Sequence, residues 1–60
     1  MENIKMEYSS YYLEATKEIK LAQDALLKNN YVEASEHCLN AQVELRLMNT
    51  AVKTWIPTKE

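Results

Sequence analysis

Glycine and phenylalanine are absent from the 60 residues, and proline, cysteine, tryptophan and histidine occur once each. Without glycine no loop can wrap successive backbone N–H groups closely around a phosphate, which removes the nucleotide-binding fingerprints. One cysteine cannot build an intramolecular disulfide framework or the usual cysteine-based zinc site. With a single histidine, and no serine beside a matching base and acid, nucleophile-and-base catalysis fails on inventory. The longest apolar runs are three residues, against the roughly 20 that span a bilayer, so no membrane segment is expected. The opening residues Met1–Glu7 lack the apolar stretch and small-residue cleavage site of a signal peptide. A free thiol suits a reducing interior, and the expected location is cytoplasmic. Charge of one sign is also scarce: 7 basic against 9 acidic side chains leave a net charge of -2, too little positive charge for binding carried mainly by nucleic-acid phosphates or anionic lipid. A chain of this length forms one small domain and buries only about 60% of its unfolded surface.

What is present favours helix nearly throughout: many Ala, Leu, Glu and Lys residues and a single strong break, Asn29-Asn30, at the midpoint. Asn tolerates the left-handed conformation that ends a helix, and Asn30 can cap the next one with Glu33 completing a capping box. The first helix is expected over about residues 4–28, capped by Asn3, with Ser9 or Ser10 as the alternative cap. Its apolar face runs Ile4, Tyr8, Tyr11, Ala15, Ile19, Ala22 and Leu26. The second helix is expected over about residues 31–56, ended by Pro57, with 57–60 as a tail. Its stripe of Tyr31, Ala34, Cys38, Ala41, Leu45, Met48, Val52 and Trp55 follows 3-4 spacing and suits an antiparallel neighbour. The expected fold is all-α, an antiparallel two-helix hairpin with 29–30 as its turn.

One hairpin does not satisfy the pattern. Val32, Leu39, Val43 and Leu47 lie on the side of the second helix roughly opposite its stripe, the last three at i, i+4 and i+8. A row of this kind marks an interface, which implies a second layer from another chain. A second copy would give a homodimeric four-helix bundle; a different protein could dock on the row instead. Tyr8, Tyr12 and Trp55, near the open end, are a secondary candidate contact, set against their reading as end-of-bundle core.

The remaining chemical candidates read as structure. His37 and Cys38 are adjacent but point about 100° apart on a helix, and Cys38 on the main stripe is expected to pack as a small core residue. Glu33 with His37, Glu36 with Asn40 and Glu14 with Glu18 have metal-ligand spacing, yet none aims a Glu-x-x-His pair into a core, so a solvated flank is expected. No catalytic residue, metal ligand or cofactor is assigned, and the chain is not expected to be an enzyme. A thin hairpin also offers no room for a deep pocket.

The stretch Asn30-Tyr31-Val32-Glu33-Ala34, with Cys38 and Ala41 beyond it and Leu21-Ala22 before it, resembles a single tetratricopeptide-repeat hairpin. The likeness covers residues 21–41. Ala25, Glu18 and Arg46 stand where that repeat prefers Tyr, Trp and Pro, and one repeat alone does not build a solenoid. What the resemblance implies is protein–protein contact.

The expected function is therefore a small non-enzymatic protein-binding regulator or adaptor acting through an apolar helix face. A phage or mobile-element modulator of a host protein fits this size. The alternative is a dimeric helical bundle that binds RNA or DNA once dimerisation gathers its basic side chains.

Overall fold

The computed structural model describes residues 4–57; the expected cap Asn3 and the tail residues 58–60 lie outside them. Two helices, α1 (Ser9–Leu27) and α2 (Tyr31–Lys53), pack antiparallel as a hairpin, and the described residues hold no strand. The Cα extents are 52 × 17 × 10 Å, one helix thick and two wide. None of the described helices is long and apolar enough to cross a membrane.

The turn closes by a complete left-handed stop. Asn29 sits at φ 60°, the one non-glycine residue with positive φ among those described. Its N–H donates to the Leu26 carbonyl at 3.0 Å, and the Asn30 N–H donates to the Ala25 carbonyl at 2.8 Å. These are the paired bonds that satisfy the last carbonyls of a helix ending in a left-handed residue. Asn30 stands at the N-cap of α2, but its side chain makes no capping bond to the backbone. It donates instead to the Glu33 carboxylate at 3.3 Å, so the expected capping box survives only as a side-chain pair.

Both outer ends of the helices differ from the sequence expectation. α1 begins at Ser9 rather than near residue 4. Two Glu7 bonds explain the start: its carboxylate accepts from the Ser9 N–H at 2.8 Å and from the Ser9 hydroxyl at 2.6 Å. The segment before it is drawn across to the other helix. The Met6 N–H donates to Thr54 Oγ1 at 2.9 Å, and Trp55 Nε1 donates to the Met6 carbonyl at 2.9 Å. α2 in turn stops at Lys53, not 56, and residues 54–56 tighten into i→i+3 bonds on Ala51, Val52 and Lys53 as the chain approaches the restricted residue before Pro57.

The seam between the helices is built of small residues. Every fully buried residue among those described is alanine: Ala15, Ala22 and Ala25 on α1, Ala34, Ala41 and Ala51 on α2. Tyr11, Glu18 and Leu21 on one helix and His37, Glu44 and Met48 on the other are half-buried beside them. The seam thus runs 11, 15, 18, 22, 25 and 34, 37, 41, 44, 48, 51, a 3-4 repeat rotated away from the one expected. Cys38, Leu45 and Tyr31 are exposed, as are Ile19 and Leu26. The expectation of a core Cys38 is corrected accordingly. Helices approach most closely where methyl groups face each other, and the alanines take that position over the bulkier stripe beside them.

Candidate interaction surfaces

With the seam fixed, the remaining residues can be placed by 100° per residue. Tyr12, Ile19 and Leu26 stand seven apart along one flank of the α1 seam. Tyr31, Cys38, Leu45 and Val52 stand seven apart along one flank of the α2 seam. Because the helices run in opposite directions, residues turned the same way from their seams share one face of the hairpin. The two ridges therefore lie side by side on one face, with Tyr8 extending the first. Val52 is half-buried and the others are exposed, Ile19 at 54% and Leu45 at 48%. The positions bordering these ridges are Thr16 and Gln23 on α1 and Ser35, Gln42 and Asn49 on α2. All five are uncharged, and Lys53 follows them at the open end of α2.

Charge gathers on the opposite face, with Glu14, Lys17 and Glu18 from α1 and Glu33, Glu36 and Glu44 from α2. There the helices are bridged. His37 Nδ1 donates to Glu18 Oε1 at 2.7 Å, and Asn40 Nδ2 donates to the same oxygen at 3.3 Å. The hydrogen bond from His37 holds the Glu18 carboxyl below its ordinary value, helped by Asn40 and the nearby charges of His37 and Lys17 against an opposing effect of burial. His37, expected on a solvated rim, is instead a half-buried clasp between the helices. Glu33, at metal-ligand spacing from His37, plays no part in that bond. Among the described residues no three His, Cys, Asp or Glu side chains gather as metal ligands would.

The sequence-derived interface row is exposed along its length, from Val32 at 73% and Leu39 at 56% to Val43 and Leu47. Val32 and Leu39 sit on the side of α2 directly away from α1, and Val43 and Leu47 turn toward the charged face. The row is thus separate from the two ridges.

The secondary candidate residues divide. The Tyr8 and Trp55 rings meet edge to face, centroids 6.1 Å apart at 75°, and Lys5 Nζ lies 5.1 Å from the Trp55 ring centroid. Together with the Met6 and Thr54 bonds they form a tie across the open end. Tyr12 stands apart on the uncharged ridge. Sequence reasoning missed this ridge pair as a free surface because its residues were counted into the hairpin seam. The signal that would have separated them is the second 3-4 repeat, the one carrying the alanines.

No protein-family model, curated protein or solved structure matches the chain.

Proposed function

We propose that the chain is a non-enzymatic protein-binding module: a helical hairpin that associates with a second copy of itself and offers the α2 row of Val32, Leu39, Val43 and Leu47 to an apolar groove on another protein. The observation that carries this reading is the exposure of that row. A contiguous line of large apolar side chains on water is unfavourable unless a partner removes it from solvent. Helix-in-groove recognition lays one apolar helix face into a groove through anchors three or four residues apart. Scattered apolar side chains would need no such account.

Replacing Leu39 and Val43 by Glu tests the reading. Capture of a partner protein by the wild-type chain should persist in high salt and be lost in the double variant, with helix content unchanged by circular dichroism. Equal capture by both proteins would overturn it. Binding that falls steeply with salt and survives the double substitution would instead support the nucleic-acid alternative, whose affinity rests on phosphate charge. The described basic side chains Lys5, Lys17, Lys20, Lys28, Arg46 and Lys53 form no single stripe, and nothing in the geometry favours that alternative.

A further inference from the structure

The two ridges on the uncharged face raise a more specific question than whether the chain associates: which surface a second copy covers. We infer that a second copy of this chain packs on the face formed by Tyr12, Ile19 and Leu26 with Tyr31, Cys38 and Leu45, leaving the Val32–Leu47 row outside. This inference rests on the self-association proposed above and assigns it a surface.

Area is the first support. A folded monomer of 7.0 kDa is expected to expose about 4,000 Å2. This chain exposes 5189 Å2, roughly 1,200 Å2 more than that scaling allows. A two-fold dimer covering half or more of that excess on each chain would bury at least about 1,200 Å2 in total, the size of a stable interface. The core gives the same result from the inside. Six alanines are the fully buried residues described, and their small side chains supply little of the apolar burial that a 60-residue chain requires.

Charge selects the face and the occupant. In a two-fold interface the same patch meets its own copy, so a patch dominated by charge of one sign repels itself. The ridges carry no charge, and the borders Thr16, Gln23, Ser35, Gln42 and Asn49 supply a polar, uncharged rim, with Lys53 at the open end of α2 its one charged position. The opposite face, with Glu14, Glu18, Glu33, Glu36 and Glu44 against Lys17, would bring a net acidic surface onto its own copy. The seven-residue spacing along both ridges is the repeat by which helices interlock lengthwise at a shallow angle. Two hairpins stacked on it make four helices around a second apolar layer, parallel to the alanine seam.

Cys38 is a built-in reporter, since it stands on the ridge between Tyr31 and Leu45 and is exposed in the single hairpin. Mass by light scattering and the rate of Cys38 reaction with an aromatic disulfide reagent, both over a dilution series, read the wild-type protein directly. The expected result is a mass of twice 7.0 kDa with Cys38 slowed by on the order of tenfold or more relative to the denatured chain, as for a buried thiol. Protection should be lost as dilution lowers the mass. Ile19→Glu with Leu45→Glu should abolish the dimer, whereas Leu39→Glu with Val43→Glu should keep both the mass and the protection.

A single-chain mass at every concentration would overturn self-association itself. A dimer in which Cys38 reacts at the denatured rate, or one dispersed only by the Leu39/Val43 substitutions, would overturn this face while leaving self-association standing. Should the Ile19/Leu45 variant lose its helix content, the wild-type thiol rate still decides.

Discussion

At the turn, the two helices are joined by groups close in sequence; at the open end they are tied by bonds between residues 48 and 49 positions apart. The turn is set by Asn29 in the left-handed region, the two carbonyl bonds of Leu26 and Ala25, and a bond from the Tyr31 hydroxyl to Asn29 Oδ1 at 3.1 Å. Ala25 and Ala34 flank the turn, both buried. The open end depends on Met6, Thr54 and Trp55, with Thr54 Oγ1 accepting from the Met6 N–H and donating to the Ala51 carbonyl at 2.6 Å. The Met6–Thr54 and Trp55–Met6 bonds are exposed to water. Local closure loses little chain entropy before its contacts form, while the distant tie must close nearly the whole chain. The turn end should therefore form first and open last, and each end can be attacked separately.

The largest effect is expected at the turn-end seam. Ala34→Leu forces a bulky side chain between helices that meet through methyl groups and should destabilise by about 1–3 kcal/mol, read from urea unfolding at fixed protein concentration. A change near zero would mean the seam has slack and that close approach is not what fixes the register.

That seam also shows what was legible in the sequence. Two helices, the Asn29-Asn30 break and the antiparallel pairing followed from composition and from the midpoint asparagines. The rotation of each helix did not, because α2 carries two overlapping 3-4 repeats: Tyr31, Ala34, Cys38, Ala41, Leu45 and Ala34, His37, Ala41, Glu44, Met48. Hydrophobicity favours the first, and closeness of approach favours the second. Polar residues enter the chosen seam because Glu18 and His37 satisfy each other, which no count of apolar positions registers. The exposure of the row from Val32 to Leu47 was legible because it falls outside both repeats. The late start of α1 was not, since it depends on Trp55 and Thr54 from the far end of the chain.

Smaller effects separate the two ends further. Asn29→Ala, which places a residue poorly suited to positive φ at the stop, should lose about 1–2 kcal/mol, whereas Asn29→Gly should be tolerated. An equal loss in both would assign the effect to the Tyr31–Asn29 bond rather than to the backbone. At the open end, Trp55→Phe keeps a ring against Tyr8 but removes the donor to the Met6 carbonyl. It should lower global stability by about 1 kcal/mol or less, the usual net value of one hydrogen bond. Amide exchange at Met6 should nonetheless accelerate clearly, because the strap opens without unfolding the hairpin. Unchanged exchange at Met6 would show that the Thr54 bond alone holds the strap.

The smallest effect belongs to the middle of the hairpin, between the two ends. The Glu18 carboxyl is held below its ordinary value, chiefly by the hydrogen bond from His37. A carboxyl lowered in the folded state binds its proton less readily there than in the unfolded chain, so protonation favours unfolding. Its stabilising contribution is thus complete above the ordinary carboxylate range, about pH 4–5, and is lost as pH falls through the lowered folded value. Glu7, lowered mainly by the Ser9 hydroxyl, acts with the same sign at the start of α1. Thermal midpoints of wild type and Glu18→Gln should differ at neutral pH and converge in acid as the wild-type carboxyl takes up its proton. Glu7→Gln should leave the convergence seen for Glu18→Gln in place, because the two carboxyls serve different contacts. A difference between wild type and Glu18→Gln that stays constant from neutral pH into strong acid would mean that the His37 clasp acts through shape alone. The middle of the hairpin would then resemble its alanine turn end rather than its hydrogen-bonded open end.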